Sequence, residues 1–456
     1  MLDGSWLDTS RFRRNLLSII CVLALASLVL HLLFALGQQT YSFPDDLTYV
    51  SAAIHVVLGN PCAPVANNEC NYEHPPLAKL ILALGFEVFG RTQVIGQEVG
   101  VGINQLGGRF FQIVMNAAAA PMLFLLVRKT SKDEKLAFFA ALFLLVDPLY
   151  FAVSTSALLD NAMVFFALAA LLSDAYGSEF GGGGPVLTGA LLGLSLLSKE
   201  TAIFILAAFL SYVLLIRDGG WRKAFTLSVM VSISCAAVFL VGLEAFDLAF
   251  TQFPSALSQL GVMLHFQVGT GQNQLQFLSA SADCTNQGVV CPFARTLVPH
   301  FLIAQLPPWP VINGQCPECW GGTNPLDWLT YIPPVVFPTD LVLAVNYPLV
   351  WLSFVWVPLA VLAFRLLRST PEGKVLILAL LLFIWNVGSN IWLFEGLGRA
   401  VFEWYILPAV PAFAIGGAYL VTRPRIPRPA AVVIVGSVLL GATLLSPPAF
   451  ASLFHV

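Results

Sequence analysis

Apolar positions in this chain run in long unbroken stretches, without the spaced pattern of a soluble core. They lie near residues 15–36, 109–128, 136–153, 157–173, 185–198, 200–216, 223–243, 342–364, 375–394, 400–421 and 430–450. Most have the length an α-helix needs to cross a bilayer. The expected fold is therefore an all-α polytopic membrane protein of about eleven transmembrane helices. The stretches 185–198 and 200–216 are short and separated by one polar patch, which predicts a tight hairpin. The first stretch exceeds a usual signal-peptide apolar region and reads as a retained anchor.

Two segments follow another rule. After Ser42-Phe-Pro-Asp45, which resembles a capped helix start, Leu47, Val50, Ile54, Val57 and Leu58 recur at helical spacing, with Asp46, Tyr49, Ser51 and His55 mostly elsewhere on the wheel. A second helix is expected from Pro75-Pro76, with Leu77, Leu80, Ile81, Leu84 and Val88 as its apolar face and Lys79 and Glu87 as polar positions. Both read as amphipathic helices lying on the outer membrane surface.

Composition narrows the class. The chain is 58% hydrophobic and only 10% charged over 456 residues, against about a quarter charged in soluble domains. A soluble enzyme, a disordered chain and a secreted disulfide module are excluded. The net charge of -3 and the lack of a basic domain argue against a nucleic-acid partner.

Basic residues orient the spans. Clusters at Arg11–Arg14, Arg128–Lys135, Arg217–Lys223, Arg365–Lys374 and Arg423–Arg428 all fall on one side if the N-terminus is cytoplasmic. Two loops, about 37–108 and 244–341, are long and then lie outside. The chain divides accordingly into an N-terminal transmembrane module, 1–243, which includes the first of these loops; the second loop, 244–341; and C-terminal helices, 342–456. Segment 246–268 is a candidate surface helix.

Of eight cysteines, Cys21 and Cys235 fall in spans, while Cys62, Cys70, Cys284, Cys291, Cys316 and Cys319 fall in the two outer loops. Even numbers in each loop suit disulfides in an oxidising compartment. Cys62 and Cys70 form the natural local pair, and the other four allow three connectivities. Cys316-Pro-Glu-Cys319 also has zinc or redox spacing, but without a second ligand pair nearby a disulfide is preferred.

Charges beside a bilayer are costly and so informative. Asp45-Asp46 follow the first span. They suit helix capping, a general base, or a divalent cation. Glu73-His74 precede the Pro pair, as a helix cap or as a polar cluster facing phosphate or sugar. Asp160 opens a span in Leu158-Leu-Asp-Asn161. Arg109, Lys199 and Arg399 are cations on the outer side, placed to balance a lipid phosphate or to snorkel. Tyr405 lies in Phe402-Glu-Trp-Tyr-Ile-Leu-Pro408, an aromatic run that also suits membrane anchoring.

Taken in order, the acidic pair, His-Pro-Pro-Leu-x-Lys, the Arg opening the second span, Leu-Leu-Asp-Asn-x-x-x-Phe, Ser-Lys and Phe-x-x-Tyr-x-x-Pro resemble the GT-C membrane glycosyltransferases. The nearest likeness is to the dolichyl-phosphate-mannose protein mannosyltransferases. The aminoarabinose transferase of lipid A is more distant; it has Lys where this chain has His74. The resemblance runs over about 40–412. It implies a GT-C bundle that transfers a sugar, mannose first, from a polyprenyl or dolichyl phosphate to an acceptor hydroxyl outside the membrane, on protein, lipid or glycan. It implies catalytic roles for Asp45 (the base), Asp46, Glu73 and Asp160. It implies binding roles for His74, Arg109, Lys199, Arg399 and Tyr405. Asp46 stands where the mannosyltransferases usually carry Glu. No cofactor is required, because fixed cations can stabilise the leaving phosphate; a divalent ion at Asp45-Asp46 is the alternative. The rival class is a transporter, which would place its rare charges near the midplane.

Overall fold

The computed structural model describes residues 10–37, 44–57, 71, 74–89, 106–177, 183–216, 220–250, 260, 325–326, 329, 335–336, 342–343, 346–393 and 403–445. Among the described residues, five helices, or six with the bent pair Glu134–Leu145 and Pro148–Ser154 as one span, are long and apolar enough to cross a membrane, and helix lies in each of the eleven apolar stretches. These are α1 (Ser10–Gly37), α4 (Phe110–Ser131), the pair α5 (Glu134–Leu145) and α6 (Pro148–Ser154), α7 (Asp160–Ala175), α8 (Gly184–Ser198), α9 (Ala202–Ile216), α10 (Gly220–Phe250), α11 (Tyr347–Leu362), α13 (Pro371–Ile391), α14 (Val410–Thr422) and α15 (Arg428–Leu445). The predicted extra helices are present as α2 (Pro44–Val57) and α3 (Leu77–Phe89), and a short α12 (Phe364–Leu367) precedes α13. A two-residue antiparallel pair, β1 (Val335–Val336) with β2 (Val342–Leu343), is the one strand pair among the described residues and leaves the all-α class unchanged.

Local chemistry sets the breaks. α5 starts where the Asp133 carboxylate accepts the N–H groups of Lys135 and Leu136. The α5–α6 span bends by 59°, where Asp147 accepts the Tyr150 N–H and Pro148 opens the next helix. α10 continues to Phe250, so residues 246–250 extend a span and do not begin a surface helix.

Packing sorts the helices from rim to centre. The span windows are 22% buried in α1 and 33% in α10, but 89% in the segment ending with α14. Val22, Leu25, Val29, Leu33, Ile233, Val241, Phe354 and Val355 face outward. So large an apolar surface is stable only against lipid. These facts make the chain an integral membrane protein.

Where helices touch, glycines allow close approach. A Cβ on Gly189 or Gly193 of α8 would lie 2.5 Å from the Val231 carbonyl oxygen or 2.7 Å from that of Cys235, on α10. Small residues replace the hydrophobic drive that lipid removes. On α14, Gly416 admits the Trp356 indole of α11 and Gly417 faces Phe143 of α5.

α8 and α9 are joined by a turn of three residues, as the hairpin expectation required. They then splay apart. α8 packs between α7 and α10, and α9 against α13. The turn thus joins the N-terminal bundle to the C-terminal helices.

α2 and α3 pack on each other. On α2 the expected Val50 is buried and Ile54 and Val57 pack on the core, whereas the buried face of α3 differs from the expected apolar one. On α3 the buried residues are Ala78, Lys79, Leu82, Ala83, Gly85 and Phe86, while Leu84 and Val88 are more than half exposed. Tyr49 on α2 is likewise buried. Beside a bilayer the largest apolar side chains can face outward, and small or polar ones pack inward.

Candidate active site

Six elements bring their polar ends to one end of the bundle. These are the start of α2, Asn71 with residues 74–76, the turn before α4, the α6–α7 connection, the α8–α9 turn and the 3-10 segment Glu403–Ala409.

At the centre, Lys199 Nζ lies 2.7 Å from Asp160 Oδ2, with both side chains 1% exposed. Asp160 occupies the first turn of α7 yet does not cap it. Oδ2 takes the lysine, and Oδ1 is buried with no hydrogen-bond partner among the described residues. The Lys199 ammonium also stands 4.3 Å from the Tyr405 ring centroid, and Asn390 holds the Tyr405 carbonyl at 3.3 Å. Burial opposes the Lys199 charge, but Asp160, with Tyr405 and Glu200 around it, outweighs burial and holds the pKa above the ordinary lysine value.

A ring of contacts closes around this pair. Asp46 is fully buried, and its Oδ1 accepts the Ala157 N–H at 2.9 Å. That bond ties α2 to the connection that leads into Asp160. Glu200, next to Lys199, meets His74 Nδ1 at 2.9 Å. The His74 ring sits edge-on to Tyr49 of α2, with centroids 5.6 Å apart. Lys79 Nζ donates to the carbonyls of Asn71 at 2.6 Å and His74 at 2.7 Å, fixing the approach to α3. Arg109 is 1% exposed. Its turn is pressed on α3, where Gly85 leaves no room for a Cβ against the Gly107 carbonyl.

The structure therefore brings together Asp46, His74, Asp160, Lys199 and Tyr405; Arg109 is buried on the turn before α4, which packs on α3. Tyr405 is enclosed by protein, which replaces the anchoring expectation. Asp45 lies in the first turn of α2, one residue from Asp46. Glu73, Arg399 and the cysteines Cys62, Cys70, Cys284, Cys291, Cys316 and Cys319 lie outside the described residues. Sequence reasoning gave no site role to Glu200, Tyr49 or Lys79. For Lys79 the signal was present, because it closes the His-Pro-Pro-Leu-x-Lys motif.

The model of the dolichyl-phosphate-mannose-protein mannosyltransferase family matches residues 65–256. Solved structures match nearly the whole chain. A protein O-mannosyltransferase complex of S. cerevisiae bound to the sugar donor superposes with a TM-score of 0.62 at 12% identity, over 96% of this chain and 90% of that one. ArnT of Cupriavidus metallidurans bound to undecaprenyl phosphate gives 0.52 at 14% identity, over 95% and 75%. The fold is that of the GT-C membrane glycosyltransferases. AglB, the oligosaccharyltransferase of Archaeoglobus fulgidus in complex with an inhibitory peptide and a dolichol-phosphate, gives 0.55 at 16% identity, and this chain spans 56% of its length. A curated protein of Aquifex aeolicus (strain VF5) of no described function is 24% identical over 146 residues, 32% of this chain and 27% of that protein. The GT-C match therefore covers the elements that build the buried ring.

Proposed function

We propose that this chain is an integral-membrane glycosyltransferase that moves a sugar, mannose first, from a polyprenyl or dolichyl phosphate to an acceptor hydroxyl on the extracytoplasmic side. The observation that carries the reading is the buried Asp160–Lys199–Tyr405 cluster beside the start of α2. It lies in a fold whose neighbours are described with a sugar donor, undecaprenyl phosphate or dolichol-phosphate.

The chemistry is one inverting displacement. The acceptor oxygen attacks the anomeric carbon, and its proton passes to the Asp45 carboxylate. The bond from that carbon to the phosphate oxygen breaks, and the electron pair leaves with the phosphate. Lys199 and Arg109 stabilise the charge that develops there. Asp160 fixes the Lys199 ammonium in place before the donor arrives, so little reorganisation remains for the reaction. Asp46 positions the first turn of α2: its carboxylate accepts the Ala157 N–H, which anchors the turn that carries Asp45. His74, the mannosyltransferase choice at its position, favours a protein hydroxyl as acceptor over the lipid acceptor of the aminoarabinose type.

The test is release of lipid phosphate. Purified protein is given polyprenyl-phosphate mannose with peptide acceptors, and wild type is compared with Asp45→Asn. Acceptor-dependent release should fall about 100- to 10,000-fold in the variant, the usual range for loss of a general base. No release by folded wild-type protein across several lipid-linked sugars would move the assignment to a transporter.

A further inference from the structure

A second polar feature lies at the opposite end of the bundle. α4 has 22 residues, so its far end stands about 33 Å from Arg109. There an open hollow of about 1010 Å³ is lined by Arg128, Lys129, Lys132, Asp133, Glu134, Lys135, Tyr176 and Glu372. Its size reaches the upper part of the range of small-molecule sites, about 300–1,000 Å³.

The carboxylates in it are mostly committed. Glu134 takes Arg128 at 3.1 Å. Asp133 caps α5 and faces Arg423 at 3.8 Å. Lys129 lies 4.5 Å from the Tyr176 ring centroid, which holds its ammonium at one wall. Lys132 stands in the left-handed region at φ 59°, where its N–H bonds the Arg128 carbonyl. That turn projects Lys132 away from the helix. Among the described residues Lys132 and Lys135 pair with no carboxylate. Glu372 remains on the rim as an acceptor.

We infer that this hollow binds the headgroup of an anionic phospholipid, with the phosphodiester on Lys129, Lys132 and Lys135 and a headgroup hydroxyl donating to Glu372. The occupant is a lipid because the hollow opens at the end of helices whose flanks are apolar and exposed, such as Leu362 and Leu366 at the neighbouring turn. Basic hollows between transmembrane helices recognise such headgroups by charge. The inference is independent of sugar transfer.

The test uses the full chain in nanodiscs of mixed phosphatidylglycerol and phosphatidylcholine, with retained lipid counted by native mass spectrometry. The variant is Lys132→Asn with Lys135→Gln; Asn tolerates the left-handed backbone, so folding is spared. The control is Arg365→Gln with Arg368→Gln, which removes equal charge from exposed positions at the same end. Retained phosphatidylglycerol should fall at least threefold in the first variant and stay within twofold of wild type in the control. Equal loss in both would show only diffuse surface attraction and overturn the site. Thermal protection of the detergent-solubilised protein by inorganic phosphate as strong as that by phosphatidylglycerol, absent in the first variant, would overturn the lipid as occupant.

Discussion

At the residue scale, adjacent acids are given different work. Asp46 is fully buried with an oxygen on the Ala157 N–H. An amide oxygen can accept that bond. Asp46→Asn should therefore retain most kcat, whereas Asp46→Ala should lower activity and stability together. If Asp46→Asn loses as much kcat as Asp45→Asn, Asp46 takes part in the chemistry itself. The Asp160–Lys199 pair behaves differently, because both charges are out of water. Removing one partner leaves the other buried and uncompensated, at a cost of about 3–5 kcal/mol. Asp160→Asn or Lys199→Met alone should thus lower thermal stability in detergent more than the double replacement does. The raised Lys199 pKa fixes the sign with pH. Its stabilisation is fully present below the unfolded lysine value of about 10.4 and is lost as pH rises through the higher folded value. Wild type should lose stability across that alkaline window by an increment that Lys199→Met lacks.

At the element scale, close helix contact is the point of weakness. Gly189→Ala would drive a Cβ to 2.5 Å from the Val231 carbonyl oxygen and force α8 from α10. Overpacking of this kind costs about 1–3 kcal/mol, which should appear as a lower melting temperature. Among the described residues Gly436→Ala on α15 meets nothing within 4 Å and is the control; there the better helix propensity of Ala should leave stability equal or slightly raised. Because Lys199 directly follows the end of α8, Gly189→Ala should also weaken donor binding. A melting curve unchanged by the substitution would contradict the packing shown.

At the scale of the whole molecule, charge is divided between two ends. The acid-and-cation ring lies at one end, and the basic turns of α4–α5 and α12–α13 at the other. The proposed reaction uses fixed cations at the first end. Treatment with EDTA should therefore leave acceptor-dependent phosphate release within about twofold of untreated protein. Loss restored by a divalent ion would instead assign Asp45-Asp46 as carboxylate ligands of a hard cation.

The all-α membrane class and the places of the apolar helices were legible in the chain because an apolar run of bilayer length has few other stable states. The same holds for α2 and α3, which announce themselves by proline starts and helical spacing. Each charge near lipid is expensive, so Asp160 and Lys199, which form the buried pair, stood out individually in the sequence. What stayed hidden was partnership. Nothing in sequence separations of 39 and 111 residues pairs Lys199 with Asp160 or Asp46 with Ala157. The inward face of α3 was misread for a physical reason. In water the apolar side is the buried side, but beside a bilayer Leu84 and Val88 can point out while Lys79 points in to two carbonyls. Sequence alone determined that the chain crosses a membrane and keeps its few charges at helix ends. Only the tertiary structure decided which ends meet, because the splay of α8 from α9 carries Lys199 to the junction where Asp160 and Tyr405 converge.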